Sequence, residues 1–97
     1  MYAIAIIRYR RPLEEVLPFL EDHRAYLRTL KGQGTLLAAG PFHPRIGGAL
    51  LLRITDSDHN AALDRIRDND PYWQAGVAQY ELLPWNPAIG LEDLDRV

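Results

Sequence analysis

At 97 residues the chain has the length of one domain, and 47% hydrophobic with 25% charged residues is the balance of a folded globular protein. A net charge of −2 provides no basic field for holding a polyanion, and the absence of cysteine removes thiol nucleophiles, disulfides, zinc–thiolate sites and iron–sulfur clusters together. Arg8, Arg10 and Arg11 cut off the apolar opening at residues 1–7 too early for a secretory signal or a membrane span, so a cytoplasmic location with no membrane partner is expected.

Residues 2–9 read as a strand. The run Ile4-Ala5-Ile6-Ile7 is apolar on both faces, as in the middle of a sheet, and Arg10-Arg11-Pro12 ends it. Residues 13–30 have helical spacing, with Leu13, Val16, Leu17, Leu20, Leu27 and Leu30 on one stripe. Pro18 lacks a backbone N–H, so the helix should bend or restart there, and Gly32 and Gly34 should close it. A second strand spans 35–39 and stops at Gly40-Pro41; Phe42 to Gly48 is turn chemistry. In a third strand at 49–55, Leu50, Leu52 and Ile54 share one face, and Ala49, Leu51, Arg53 and Thr55 the other. Asp56-Ser57-Asp58 offers capping oxygens and negative charge to a helix at 61–68, which points Ala62, Leu63 and Ile66 inward. Asn69-Asp70-Pro71 should stop that helix, because the residue before proline avoids the helical region. Residues 77–85 form a fourth strand. The rest is a proline-punctuated acidic tail expected to pack loosely, leaving a single domain with a core of 1–86 and a tail of 87–97.

The order β-α-β-β-α-β predicts an α+β fold of the ferredoxin-like type: a four-stranded antiparallel sheet with both helices on one face. The other face retains Leu51, several alanines and, depending on register, Trp85 or Tyr80. Water is a poor cover for so apolar a surface. A homodimer closing sheet to sheet, as a dimeric α/β barrel, would bury it.

His23 is the residue most suggestive of chemistry. It follows Leu20 by three positions and precedes Leu27 by four, so it shares the inward leucine stripe, where an imidazole needs a hydrogen-bond partner. A core histidine satisfied by a backbone carbonyl is the simpler reading, as a plain turn residue is for Asp70. As a pair they suggest more. Two helices side by side on one sheet face can bring an inward histidine near an aspartate at the end of the second helix. A carboxylate on one ring nitrogen fixes the tautomer and raises the ring's basicity, so the other nitrogen can move protons without metal or covalent nucleophile. His43 and His59 show no ligand spacing, and no metal site is expected. Gly40-Pro41 and Gly47-Gly48 flank a loop able to close over a pocket, without a phosphate-loop pattern. Ser57 is explained by capping. Tyr72, Trp73 and Tyr26 suit either a pocket lining or the core. Arg8 and Arg53 could grip an anionic substrate or pair with Glu81 across a dimer.

Three segments resemble the YCII-related family. His23 to Leu30 is similar to its H-x-x-Y/R-L-x-x-L pattern, Gly34 to Pro41 to G-x-L-L-x-x-G-P, and Asp70 to Val77 to D-P-Y/F-x-x-A-G-[VL]. The resemblance implies a dimeric α/β-barrel fold and a histidine–aspartate active site, here His23 and Asp70. From the residues themselves, Gly40, Pro41, Tyr72 and Arg8 are the expected substrate-binding residues. The family includes a dehydrochlorinase acting on a chlorinated hydroxyhydroquinone and is similar in fold to muconolactone isomerases. This chain departs from the pattern in the loop Phe42-His43-Pro44-Arg45 and at Leu83-Pro84-Trp85, which bears on substrate class.

The expectation is a small cofactor-free enzyme in which His23, oriented by Asp70, moves protons on a small organic molecule in an elimination or isomerisation. The alternative is a non-catalytic module that binds or senses a small molecule on the same dimeric scaffold. An RNA-recognition module shares the chain order but stacks bases on aromatics of its third strand, and 49–55 has none; no nucleic-acid partner is expected.

Overall fold

The computed structural model describes all 97 residues. Its four strands are β1 (Tyr2–Tyr9), β2 (Leu36–Pro41), β3 (Gly47–Arg53) and β4 (Ala78–Trp85). They form one antiparallel sheet in the spatial order β2-β3-β1-β4. The most apolar strand, β1, lies inside, paired to β3 through Ala5↔Leu50 and to β4 through Ala5↔Leu82. Pleating sends alternate side chains to opposite faces. Ala3, Ala5, Ile7, Leu50 and Leu52 are buried on the helix-covered face, whereas Ile4, Ile6, Ala49 and Leu51 are half-buried on the open face.

Pro18 has the expected effect. The first helical segment is α1 (Leu13–Val16), a 3₁₀ turn at Leu17–Phe19 containing the proline, and α2 (Leu20–Gly32). The tighter turn changes the phase of the stripe. Leu17, expected inside, is 43% exposed, while His23 and Leu30 of α2 are buried. The next helix, α3 (His59–Asp68), is capped by the Asp58 side chain, which accepts from the Ala61 N–H at 3.1 Å.

The structure corrects the sequence reading at three places. Asp70-Pro71 does not merely stop a helix: Asp70 caps a further short helix, α4 (Pro71–Gln74), with Pro71 at its first position, where a missing N–H costs nothing. The strands β2 and β3 run on to Pro41 and begin at Gly47, because glycine lets the backbones close up there. A Cβ on Gly47 would stand 1.8 Å from the Ile7 carbonyl oxygen, and one on Gly48 2.5 Å from that of Gly40. The tail is not loose. It forms α5 (Leu91–Leu94) on the open face, where the Tyr2 hydroxyl donates to Asp95 at 2.6 Å and Arg53 donates to the carbonyls of Leu94 and Val97. Tertiary donors at the end of the sheet order a segment with no strong pattern of its own.

Candidate active site

The site is assembled where α2, α4 and β4 meet on the covered face. Leucine spacing on α2 turns His23 inward. The cap of α4 places Asp70 beside it, because a capping residue must aim its side chain at the helix N–H groups. His23 Nδ1 lies 2.8 Å from Asp70 Oδ1, and the same oxygen accepts from the Tyr72 N–H at 2.9 Å. The other carboxylate oxygen accepts from the Tyr80 hydroxyl. Asp70 is fully buried, yet three donors satisfy it, as a buried carboxylate requires. With the carboxylate as acceptor, the ring hydrogen belongs on Nδ1 and the Nε2 lone pair is free. Nε2 has no protein partner and remains accessible.

Tyr72 completes the mount. Its ring lies parallel to the imidazole, 6° apart with centroids at 3.9 Å, and Tyr9 meets Tyr72 edge-on at 6.0 Å. Stacking and the Asp70 contact together leave His23 little freedom. Burial, reinforced by the Asp70 charge, raises the Tyr80 hydroxyl far above its ordinary value. Burial and the same charge push Tyr26 up to about 12. Tyr72 is also pushed up to about 12, chiefly by burial and then by Tyr9. These hydroxyls are neutral donors near pH 7.

His23 opens onto a cavity of about 230 Å³ shared with Tyr72, Gly40, Pro41, Tyr9 and Arg45. A closed cavity of roughly 150 Å³ holds benzene, so this one suits a molecule of about one substituted ring. A second cavity, about 320 Å³, lies at the far end of α2 and α3. Its arginines are already engaged, Arg65 with Asp56 and Arg53 with the tail.

The sequence-derived residues divide accordingly. His23, Asp70, Tyr72, Gly40 and Pro41 come together. Arg8 does not: Ile7 and Tyr9 point to the covered face, so Arg8 projects from the other and binds Glu81 of its own chain at 2.9 Å. His43 is exposed and His59 begins α3, away from the cavity lining. Trp73 lies under Arg67 at 4.7 Å, and Tyr26 donates to the Ile66 carbonyl at 2.6 Å. Nowhere do three His, Asp or Glu side chains converge as a metal-binding group would. Tyr80, Tyr9 and Arg45 were missed. Strand alternation through Ile7 was a signal for Tyr9; Tyr80 had only an undecided strand register, and Arg45 no local signal.

The chain and its fold match a known class. The YCII-related domain matches residues 1–86, and the chain belongs to that family. Among solved structures it is similar to 5-chloro-2-hydroxyhydroquinone dehydrochlorinase from Burkholderia phenoliruptrix AC1100, determined in complex with 2,5-dihydroxybenzoquinone. That likeness has a TM-score of 0.71 at 22% identity, over 89% of this chain and 94% of the other, and is a likeness of fold. No curated protein sequence matches the chain.

Proposed function

We propose that this protein is a small enzyme that moves protons on a compact organic molecule, in an elimination or an isomerisation, using His23 as base and acid and Asp70 as its positioning carboxylate, with no cofactor. One observation carries the reading: a fully buried carboxylate 2.8 Å from an imidazole whose other nitrogen is free at the wall of a ring-sized cavity. A histidine needed only for packing has no use for so complete a mount. In this reading Nε2 removes a proton from the bound molecule, and Asp70 holds the imidazolium that results. In an elimination the electron pair of the broken C–H bond forms a double bond and the leaving group departs with its own pair. In an isomerisation the imidazolium returns the proton to another carbon. The dehydrochlorinase of similar fold supports the elimination branch on a hydroxylated ring. We further infer that two copies pair through the open face, whose Ile4 and Leu51 are half-buried and Leu83 39% exposed.

The test is chloride release from 5-chloro-2-hydroxyhydroquinone, together with solvent deuterium uptake into muconolactone. His23→Ala should cut turnover by about 10²–10⁴-fold, the usual worth of a positioned acid–base group. Asp70→Asn should leave reduced but measurable activity. If the unaltered protein turns over neither compound, or His23→Ala matches it, the acid–base reading fails. Binding without turnover would favour the sensing module.

A further inference from the structure

The wall of the cavity beyond His23 has chemistry the acid–base pair does not use. Tyr72 is only 2% exposed, and its hydroxyl is the one buried side-chain polar atom with no hydrogen-bond partner. An unpaired buried hydroxyl costs about 1–3 kcal/mol, and phenylalanine would fill the same space without that cost. Its polar neighbours are Tyr9 and Arg45, which lie near enough to perturb the hydroxyl although neither completes a hydrogen bond of good geometry with it.

Arg45, exposed at the cavity lining, stands on a loop that the backbone fixes. The Tyr9 N–H at the end of β1 donates to the Ile46 carbonyl at 2.9 Å, and the Phe42 N–H to the Gly47 carbonyl at 2.9 Å. The loop carrying Arg45 is thereby tied to the strand carrying Tyr9. Arg45 has no carboxylate partner within the chain, whereas Arg24, the other cation on the cavity, pairs with Glu21 at 3.4 Å. A guanidinium without a carboxylate and two phenol hydroxyls on one edge of a cavity form a donor cluster that no anionic group of the protein occupies. The matching ligand group is an oxyanion, which shortens and strengthens each such bond.

We propose that Tyr9, Tyr72 and Arg45 form an oxyanion-binding edge of the cavity, and that the ligand is a compact planar molecule carrying a negatively charged oxygen: a phenolate, an enolate or a carboxylate. This rests on the cavity being the functional site, and it names the substrate class that His23 would serve.

The test is a calorimetric titration with 2,5-dihydroxybenzoquinone, which is ionised at neutral pH, and with the uncharged 2,5-dimethoxybenzoquinone. The unaltered protein should bind the anion at least about tenfold more tightly, a difference of roughly 1.4 kcal/mol. Arg45→Gln should remove most of that preference while leaving affinity for the neutral compound unchanged. Tyr72→Phe should weaken the anion about fivefold without destabilising the fold, since the lost hydroxyl has no partner to strand. His23→Asn should keep the preference. An unchanged preference in Arg45→Gln, equal affinity of the unaltered protein for both probes, or no binding of either overturns the proposal. Loss of turnover chemistry with an intact Arg45-dependent preference would instead defeat only the acid–base reading.

Discussion

The two faces of the sheet each carry an acid–base contact of nearly equal length, and the contacts differ in almost everything else. On the covered face His23 and Asp70 lie 2.8 Å apart with side chains 11% and 0% exposed. On the open face Arg8 and Glu81 lie 2.9 Å apart with side chains 53% and 48% exposed. Water screens the second pair, and double-mutant measurements of such pairs give about 0–1 kcal/mol. In the first pair the contact itself is shielded from water: Asp70 takes its hydrogen bonds from the protein, and His23 keeps only Nε2 open to the cavity. Distance does not distinguish the two pairs; desolvation and the number of converging donors do.

The contrast breaks most readily at Asp70. Asp70→Ala removes the α4 cap and strands the His23 and Tyr80 donors, and should cost about 3–5 kcal/mol in urea unfolding at pH 7. Glu81→Ala should change stability by no more than about 0.5 kcal/mol. Equal costs would show that burial is not what distinguishes the faces.

The open face is tested by association. Sedimentation at micromolar concentration should give a dimer, and Leu51→Arg, at the centre of β3, should weaken it by at least about tenfold, since a charge replaces apolar contact at the seam. A stable monomer of the unaltered chain would remove the role assigned to that face.

The smallest effect concerns alkali. Tyr26 and Tyr72 are held at about 12 against an ordinary 10. Between those values the unfolded chain has lost protons that the folded chain keeps. Stability is therefore complete below pH 10 and falls as pH rises towards 12. Tyr72→Phe should flatten part of that slope in denaturant titrations at stepped pH. A flat profile in the unaltered protein would mean that these hydroxyls are not desolvated on the covered face.

Much of the covered face was legible in the chain itself. The interruption at Pro18 follows from a missing donor, and the inward turn of His23 from its leucine neighbours three and four positions away; both are local constraints. The helix at Pro71 was legible too, since an aspartate followed by proline is a cap followed by a favourable first position, but it was read as a stop. Strand parity puts Arg8 on the face away from the helices, as expected; what the parity rules out is a part for Arg8 in a cavity on the covered face, and its partner on the open face is Glu81 of its own chain.

Sequence by itself determined the order of the four strands and the two main helices and singled out His23 and Asp70 as candidates, because periodicity, capping and turn chemistry act over a few residues. Tertiary structure alone decided that Tyr80 rather than Trp85 reaches Asp70, that Arg45 and Tyr9 share a wall with Tyr72, and that the tail lies on the open face through Arg53 and Tyr2. The reason is register. A slip of one residue in β4 would exchange its two faces, and only the pairing of Ile7 with Tyr80 across the finished sheet excludes that slip.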